Sequence, residues 1–152
     1  MYEPRTYRHR VDDRDLTSFS VVVKETDLYV RATSNLKSKT HRLVLKYRNA
    51  LERYIRLHPV FLTTLEPLPV GRDAPRIVRA MAEATARVGV GPMAAVAGAI
   101  AEFVGTELLP FSSDVIIENG GDLYIKSTAY ISFSLIKLYS AVGIGVPEIV
   151  ER

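Results

Sequence analysis

The sequence contains no cysteine among its 152 residues. Disulfide bonds, thiol chemistry and thiolate metal sites are therefore excluded, and a small secreted protein held together by disulfides is disfavoured. The segment 1–14 alternates arginine with acidic residues and lacks the apolar run that a signal peptide needs. We therefore expect a cytoplasmic protein.

Long apolar runs and common catalytic motifs are also missing. The stretch 128–146 is interrupted by Lys137, serines and glycines, so it falls short of a membrane-spanning helix and we expect no membrane partner. There is no G-x-S-x-G elbow, Walker loop or dinucleotide fingerprint. His9, His41 and His58 have no partners at metal-ligand spacing, so these side chains predict no metal site.

The chain has 47% hydrophobic and 24% charged residues, which is enough apolar material for the core of one globular domain over 1–152. Its net charge of +3 is a mild excess, and we expect no nucleic-acid partner from it. The excess is concentrated over 37–56, where the basic residues face only Glu52. A basic helix face of this kind is usually solvated, and RNA binding is kept as a minor hypothesis.

Apolar alternation predicts an antiparallel hairpin, with strands over 16–24 and 28–32 joined through residues 25–27. The pattern then takes the helical period over 35–57, which indicates an amphipathic helix ended by Pro59. The proline-rich segment 60–71 is expected to be an extended connection.

A second helix is predicted from an N-cap at Asp73 to Gly89, with Ile77, Met81, Ala84 and Val88 on its apolar stripe. A third helix, apolar almost all round, begins at Pro92. Short apolar runs at 115–117 and 123–125 predict a hairpin or a strand-turn-strand unit. The expected fold is α+β: an N-terminal β-hairpin, an amphipathic helix, a helix pair around a Gly-rich turn, and further strands packed as a sheet on the helices.

The Gly-rich entry to the third helix is one candidate site. Gly89 and Gly91 lie just before a predicted helix N-terminus, where free amides and the helix dipole favour an anion such as phosphate. The alternative is structural: Gly89 caps the preceding helix and Gly91 permits a tight turn. The residues alone favour this structural alternative.

Small residues recur along the third helix at Ala94, Gly98, Ala101 and Gly105, which favours close packing of another backbone or a ligand. Glu102 lies on the same stripe. Because an unpaired buried carboxylate is costly, this side chain either reaches solvent or has a partner.

The segment 118–122, Glu-Asn-Gly-Gly-Asp, is the second candidate site. Two adjacent glycines already provide the positive φ angles of a tight turn, yet hydrogen-bond acceptors flank them on both sides. Such a loop suits a ribose, an amide or a metal. It is equally typical of ordinary hairpin turns.

Four segments together resemble a known group: RNALERYIRLHP over 48–59, APRIV over 74–78, GVGPMAAVAGAIAE over 89–102 and ENGGDLY over 118–124. They resemble an uncharacterised prokaryotic family related to ApbE, the FAD:protein FMN transferases once called thiamine-biosynthesis lipoproteins. The likeness runs from about residue 7 to residue 126. Gly120, Gly121 and Asp122 match the Gly-Gly-Asp motif of the transferases directly, whereas 89–98 corresponds only in position.

The resemblance implies an ApbE-like α+β fold and a flavin nucleotide, FAD or FMN, with magnesium assisting attack on the pyrophosphate. The helix lacks the Lys-Gly pair and the later Asp of the transferases, and Glu118 replaces their usual Asn. These differences imply either a transferase-like enzyme or a flavin-binding protein with impaired catalysis. The implied cofactor-binding residues are Gly89, Gly91, Pro92, Met93, Ala94, Glu118, Asn119, Gly120, Gly121 and Asp122.

The same resemblance implies that the chain is an N-terminal half, because family members continue beyond the Gly-Gly-Asp region. Unpaired sheet edges and apolar surface would then favour pairing with another chain, and we expect a homo-oligomer. The competing hypothesis is a non-catalytic assembly or interaction protein with a protein or RNA partner, in which the glycines serve packing.

Overall fold

The structure is a computed structural model that describes residues 16–126 of the chain. The N-terminal segment 1–15 and the apolar stretch 128–146, on which the sequence makes predictions, lie outside the described residues.

The predicted N-terminal hairpin is confirmed as β1 (Thr17–Val23) and β2 (Thr26–Ala32), which pair antiparallel from Thr17 opposite Ala32 to Val23 opposite Thr26. The turn contains only Lys24 and Glu25, because β1 ends at Val23 and β2 begins at Thr26. The predicted three-residue connection over 25–27 is therefore wrong. Lys24 takes a φ of 51°, which a two-residue hairpin turn requires and which a non-glycine residue seldom adopts.

The amphipathic helix is confirmed as α1 (Lys37–Leu57), which begins two residues later than predicted. The reason is local: the Asn35 side-chain oxygen accepts a hydrogen bond from the Lys37 amide at 3.0 Å, so Asn35 precedes the helix. Val44 and Leu51 on its apolar stripe are buried, and the helix ends at Leu57, with His58 as its C-cap just before Pro59.

The connection after α1 is not wholly extended, which corrects the prediction for 60–71. A short helix, α2 (Val60–Thr63), forms between two prolines and buries Phe61 completely. The Phe61 ring packs edge-on against Tyr54 with a centroid distance of 5.3 Å. Burial of this large ring therefore overrides the proline-rich composition of the surrounding segment.

The second predicted helix is α3 (Arg76–Ala86), and its N-cap is Pro75 and not Asp73. Ile77 and Met81 are buried as expected, but Ala84 and Val88 are exposed. The buried stripe instead continues through Val78, Ala82 and Thr85. The stripe is thus shifted around the helix axis from its predicted position.

The third helix begins with a 3-10 turn (Pro92–Ala95), continues as α4 (Val96–Leu108) and ends with a second 3-10 turn (Leu109–Phe111). By length and composition alone, Pro92–Phe111 is apolar enough to cross a membrane. In the fold it packs on the sheet and on α1, which is the arrangement of a core helix. Glu102 on α4 is exposed, so its carboxylate reaches solvent.

The last two strands, β3 (Val115–Asn119) and β4 (Asp122–Lys126), complete a four-stranded antiparallel sheet in the order β1-β2-β3-β4. Helices α1 and α4 pack on one face of this sheet, and α3 packs against both helices. The edge-on contact of Tyr47 and Phe103, at 5.3 Å, joins α1 to α4. The mixed architecture of hairpin, helices and further strands is confirmed.

The small residues of α4 lie against β4. Asp122 lies over Gly98, and the ring of Tyr124 lies so close over Gly105 that a Cβ atom there would overlap it. Close helix-to-sheet packing, one of the two explanations offered for the small-residue stripe, therefore accounts for Gly105. At Gly98 a Cβ atom would lie 3.7 Å from Asp122, so the packing there does not require glycine.

The two glycines of α4 provide a matched pair of stability tests. Gly105→Ala should lower the free energy of unfolding by about 1–3 kcal/mol because the Tyr124 ring must move. Gly98→Ala should raise it by roughly 0.5–1 kcal/mol, because its Cβ would lie 3.7 Å from Asp122 and alanine favours the helix. Denaturant unfolding measures both, and equal stability of the two variants would contradict this packing.

Candidate functional site

A cleft of about 600 Å³ opens between α1 and the segment that joins the 3-10 turn at Pro92 to α4. One end is formed by the β1–β2 turn and the end of β3, and α2 borders the other. The lining residues are Glu25, Thr26, Arg48, Leu51, Glu52, Ile55, Arg56, Leu62, Met93, Val96, Ala97, Ile100 and Asn119.

The cleft has apolar walls and a polar end. Leu51 and Ile55 form the α1 wall, and Val96 and Ile100 form the α4 wall opposite. Its polar groups gather at the sheet end, whereas the exposed Arg56 lies farther along α1. Since Arg48 and Arg56 are eight residues apart on one helix, the cleft extends for about 12 Å along α1.

Arg48 is the central hydrogen-bond donor at the polar end of the cleft. Its guanidinium donates to the Thr26 hydroxyl at 2.7 Å, to Glu25 at 2.7 Å and to Glu52 at 3.1 Å. The Arg48 side chain is only 14% exposed, so these bonds offset the cost of its burial. The Nε atom is sealed from solvent and has no hydrogen-bond partner within residues 16–126.

Glu52 also receives two hydrogen bonds of 2.9 Å from the Lys24 ammonium. The Lys24 contact, followed by that of Arg48, holds the pKa of Glu52 below its ordinary value of 4.5, although desolvation opposes the shift. The ion pairs join the β1–β2 turn to α1 at the mouth of the cleft.

The glycines of the first candidate site have structural roles. Gly89 follows the end of α3 with a φ of 73°, and the amides of Gly89 and Val90 donate back to the carbonyls of Ala86 and Thr85 in a Schellman arrangement. A Cβ atom on the buried Gly91 would overlap the carbonyl oxygen of Thr64. Gly91 therefore has a structural role, but that role is a close approach to the backbone of Thr64 and not the tight turn of the structural alternative, because its φ of −69° suits any residue.

The rest of that segment divides between core and surface. Pro92 is buried, Ala94 is exposed, and Met93 lines the cleft. The helix entry is a four-residue 3-10 turn, in which the Ala94 amide already donates to the Gly91 carbonyl at 3.2 Å. Met93 is thus the part of the predicted phosphate-binding segment that reaches the cleft.

The second candidate segment is a two-residue hairpin turn between β3 and β4. Gly120 and Gly121 have φ angles of 62° and 101°, and the Glu118 carboxylate accepts a hydrogen bond from the Gly121 amide at 2.9 Å. The strand register places Glu118 on the sheet face away from the helices, while Asn119 and Asp122 face α4.

Asn119 is the residue that connects the second candidate segment to α4. Its side-chain amide donates to the Ala97 carbonyl of α4 at 3.0 Å, and the residue lines the cleft together with Met93. The structure therefore brings the helix entry and the Gly-Gly turn to one cleft through Met93 and Asn119. It leaves the glycines themselves outside the lining.

Sequence analysis missed the α1 side of the cleft. Arg48 lies four residues after Val44 and three before Leu51. These spacings put a basic side chain on the apolar stripe of α1. That position was the available signal, because a buried arginine needs partners. Within the described residues, no group of three His, Asp or Glu side chains is arranged to hold a metal ion.

The fold and the cleft define a class of protein: α+β, with a ligand-sized cleft between two helices on one face of an antiparallel sheet. A family model described as AbpE bacteria matches residues 8–143, and the chain belongs to that family. The expected membership of a family is thus confirmed, whereas a relation of that family to the FMN transferases stays a prediction.

Archaeal relatives agree with this assignment. The chain is 43% identical to a UPF0280 protein of Methanocaldococcus jannaschii over 108 residues, or 70% of this chain and 43% of the relative. A UPF0280 protein of Methanococcus vannielii is 40% identical over 115 residues, or 74% of this chain and 47% of the relative. The UPF0280 protein of Methanopyrus kandleri is 40% identical over 111 residues, or 72% of this chain and 45% of the relative. The chain spans less than half the length of these curated relatives.

The ion pairs at the mouth of the cleft predict a pH effect on stability. Because the folded-state pKa of Glu52 is lowered, its carboxylate stabilises the fold above its ordinary pKa, and this contribution is lost as pH falls through the folded-state value. Glu52→Gln should therefore lower the free energy of unfolding near neutral pH, by less than about 1 kcal/mol because the pair is partly exposed.

The difference between the original chain and Glu52→Gln should shrink as the pH falls below 4.5. Denaturant unfolding at a series of pH values measures it. Glu83→Gln is the matched control, because Glu83 pairs with Arg87 at 3.0 Å on the exposed surface of α3. A Glu52 difference that stays constant across this pH range would contradict the role of the ion pairs.

Proposed function

We propose that the chain binds a flavin or another nucleotide in the cleft between α1 and α4. The observation that carries the proposal is the cleft itself, which has apolar walls and is lined by Met93 and Asn119 from the two candidate segments. Its volume of about 600 Å³ lies within the range usual for small-molecule sites, which are mostly apolar with a few placed polar groups.

The chemistry of the lining suits such a ligand. A planar heterocycle would lie between the α1 and α4 walls, where Leu51, Ile55, Val96 and Ile100 exclude water. Polar ring atoms would meet Thr26 and Asn119 at the sheet end. Arg56 is exposed near the other end and would attract a phosphate group.

The proposal covers the binding of a nucleotide and includes no transfer of FMN. In FMN transfer, magnesium would assist attack on the pyrophosphate, but the described part of the chain has no cluster of carboxylates or histidines to hold that ion. The polar groups in the cleft are consistent with holding and orienting a nucleotide. A transferase-like activity, if the chain takes part in one, would need metal ligands other than these.

A different observation favours the alternative, an assembly or interaction protein that includes the expected homo-oligomer. Large apolar side chains are exposed at the C-terminal end of α1 and around α2, with Leu57 74% and Leu65 86% exposed. Such residues are typical of contact surfaces when they are contiguous. Light scattering on the purified chain distinguishes a monomer from an oligomer.

The proposed site predicts that filling part of the cleft weakens binding. Ala97→Leu adds three carbons to the α4 wall, and these atoms would occupy space that the flavin ring needs. The variant should weaken the affinity for FMN or FAD by about tenfold or more. Fluorescence titration with each flavin, with and without magnesium, measures the dissociation constant. ADP is titrated by calorimetry in parallel.

Ala84→Leu is the matched control, because Ala84 is exposed on α3 and does not line the cleft. It should bind as the original chain does. Absence of saturable binding of FMN, FAD and ADP to the original chain would refute the proposal and favour the interaction protein. A basic-helix contact with RNA would instead weaken steeply as the salt concentration rises.

A further inference from the structure

The orientation of the Asn119 side chain is determined by the fold. The residue is 6% exposed, and its Nδ2 donates to the Ala97 carbonyl at 3.0 Å. A carbonyl oxygen can only accept a hydrogen bond, so the amide nitrogen must face α4 and Oδ1 must be the other atom. Asn119 therefore offers an acceptor, and not a donor, at its remaining position.

This acceptor is available to the cleft. Within residues 16–126, Oδ1 of Asn119 accepts no hydrogen bond, and it is not one of the polar atoms sealed from solvent without a partner. The residue lines the cleft, and we infer that this oxygen is the atom reached from there. An almost fully buried amide with one unused acceptor is a feature that a ligand donor would complete.

Thr26 supplies the complementary group at the same end. Its hydroxyl accepts from Arg48 at 2.7 Å, which leaves its own proton to donate, and it donates to no acceptor in the described part of the chain. Because Leu28 is opposite Asn119 in the sheet, Thr26 lies diagonally across from Asn119 on the face toward the helices. The sheet end of the cleft therefore offers an acceptor beside a donor.

We propose that Asn119 is the residue that determines ligand specificity and the direction in which the ligand enters. The heterocycle enters first, donates a ring-edge N–H to Asn119 Oδ1 and accepts from the Thr26 hydroxyl, while the phosphate stays at the Arg56 end. The ligand class is a nucleotide whose ring presents a donor next to an acceptor. This inference rests on the proposed function.

The opposite direction of entry is disfavoured by charge. A phosphate at the sheet end would meet the carboxylates of Glu25 and Glu52, and the two cations there, Arg48 and Lys24, are already paired with these carboxylates. It would also place oxygen acceptors against Asn119 Oδ1, where no proton is available. Arg56, by contrast, is exposed and lies about 12 Å along α1 from Arg48.

Matched ligand pairs test the proposal on the unmodified full chain. FMN is compared with N3-methyl-FMN, and AMP with N6,N6-dimethyl-AMP, by fluorescence titration and calorimetry. Whichever parent nucleotide binds, its methylated analogue should bind about tenfold or more weakly, because a buried acceptor then loses its donor. This comparison does not depend on any variant being able to fold.

Asn119→Ala completes a double-mutant cycle that separates a lost hydrogen bond from a steric effect of the methyl group. In this variant the parent and the methylated nucleotide should bind with nearly equal affinity. A gap that persists in the variant, or equal binding of both ligands to the original chain, would overturn the inference and leave nucleotide binding intact. Failure of every parent nucleotide to bind would overturn both proposals.

Discussion

The close contact of α4 with the sheet is the constraint on which the rest of the structure depends. Gly105 presents no side chain to β4, so the ring of Tyr124 can lie directly on the helix, and Asp122 lies over Gly98. This approach brings the start of α4 within hydrogen-bond distance of the end of β3, where Asn119 reaches the Ala97 carbonyl. A bulkier side chain at Gly105 would move the helix away from the sheet and lengthen this hydrogen bond.

The cleft is a consequence of the same packing. While α4 lies close to β3 and β4, α1 packs on β1 and contacts α4 through Tyr47 and Phe103, which leaves space between the helices nearer the β1–β2 turn. The polar end of that space needs Arg48 to be paired, because an isolated buried charge would be costly. The Arg48 guanidinium donates hydrogen bonds to Glu25, Glu52 and Thr26, and these bonds join the β1–β2 turn to α1.

Much of the local structure could be predicted because it depends on neighbouring residues. The period of apolar side chains located α1 within two residues, and Pro59 marked its end. The glycines were harder to interpret, since Gly89 serves equally well as a helix cap or as part of an anion site, and its surroundings decide between them. Phe61 was missed for a related reason: a composition rich in proline does not reveal that one ring will be buried.

The sequence by itself determined the element types apart from α2, the cap at Gly89, the Gly-Gly turn and the membership of a family, because each depends on residues close together in the chain. Only the tertiary structure decided which of these residues share a cleft. Asn119 and Ala97 are 22 positions apart, and Arg48 lies on a third element. No local pattern encodes their meeting, because it results from how closely a helix can approach a sheet, and that distance depends on side chains at other positions.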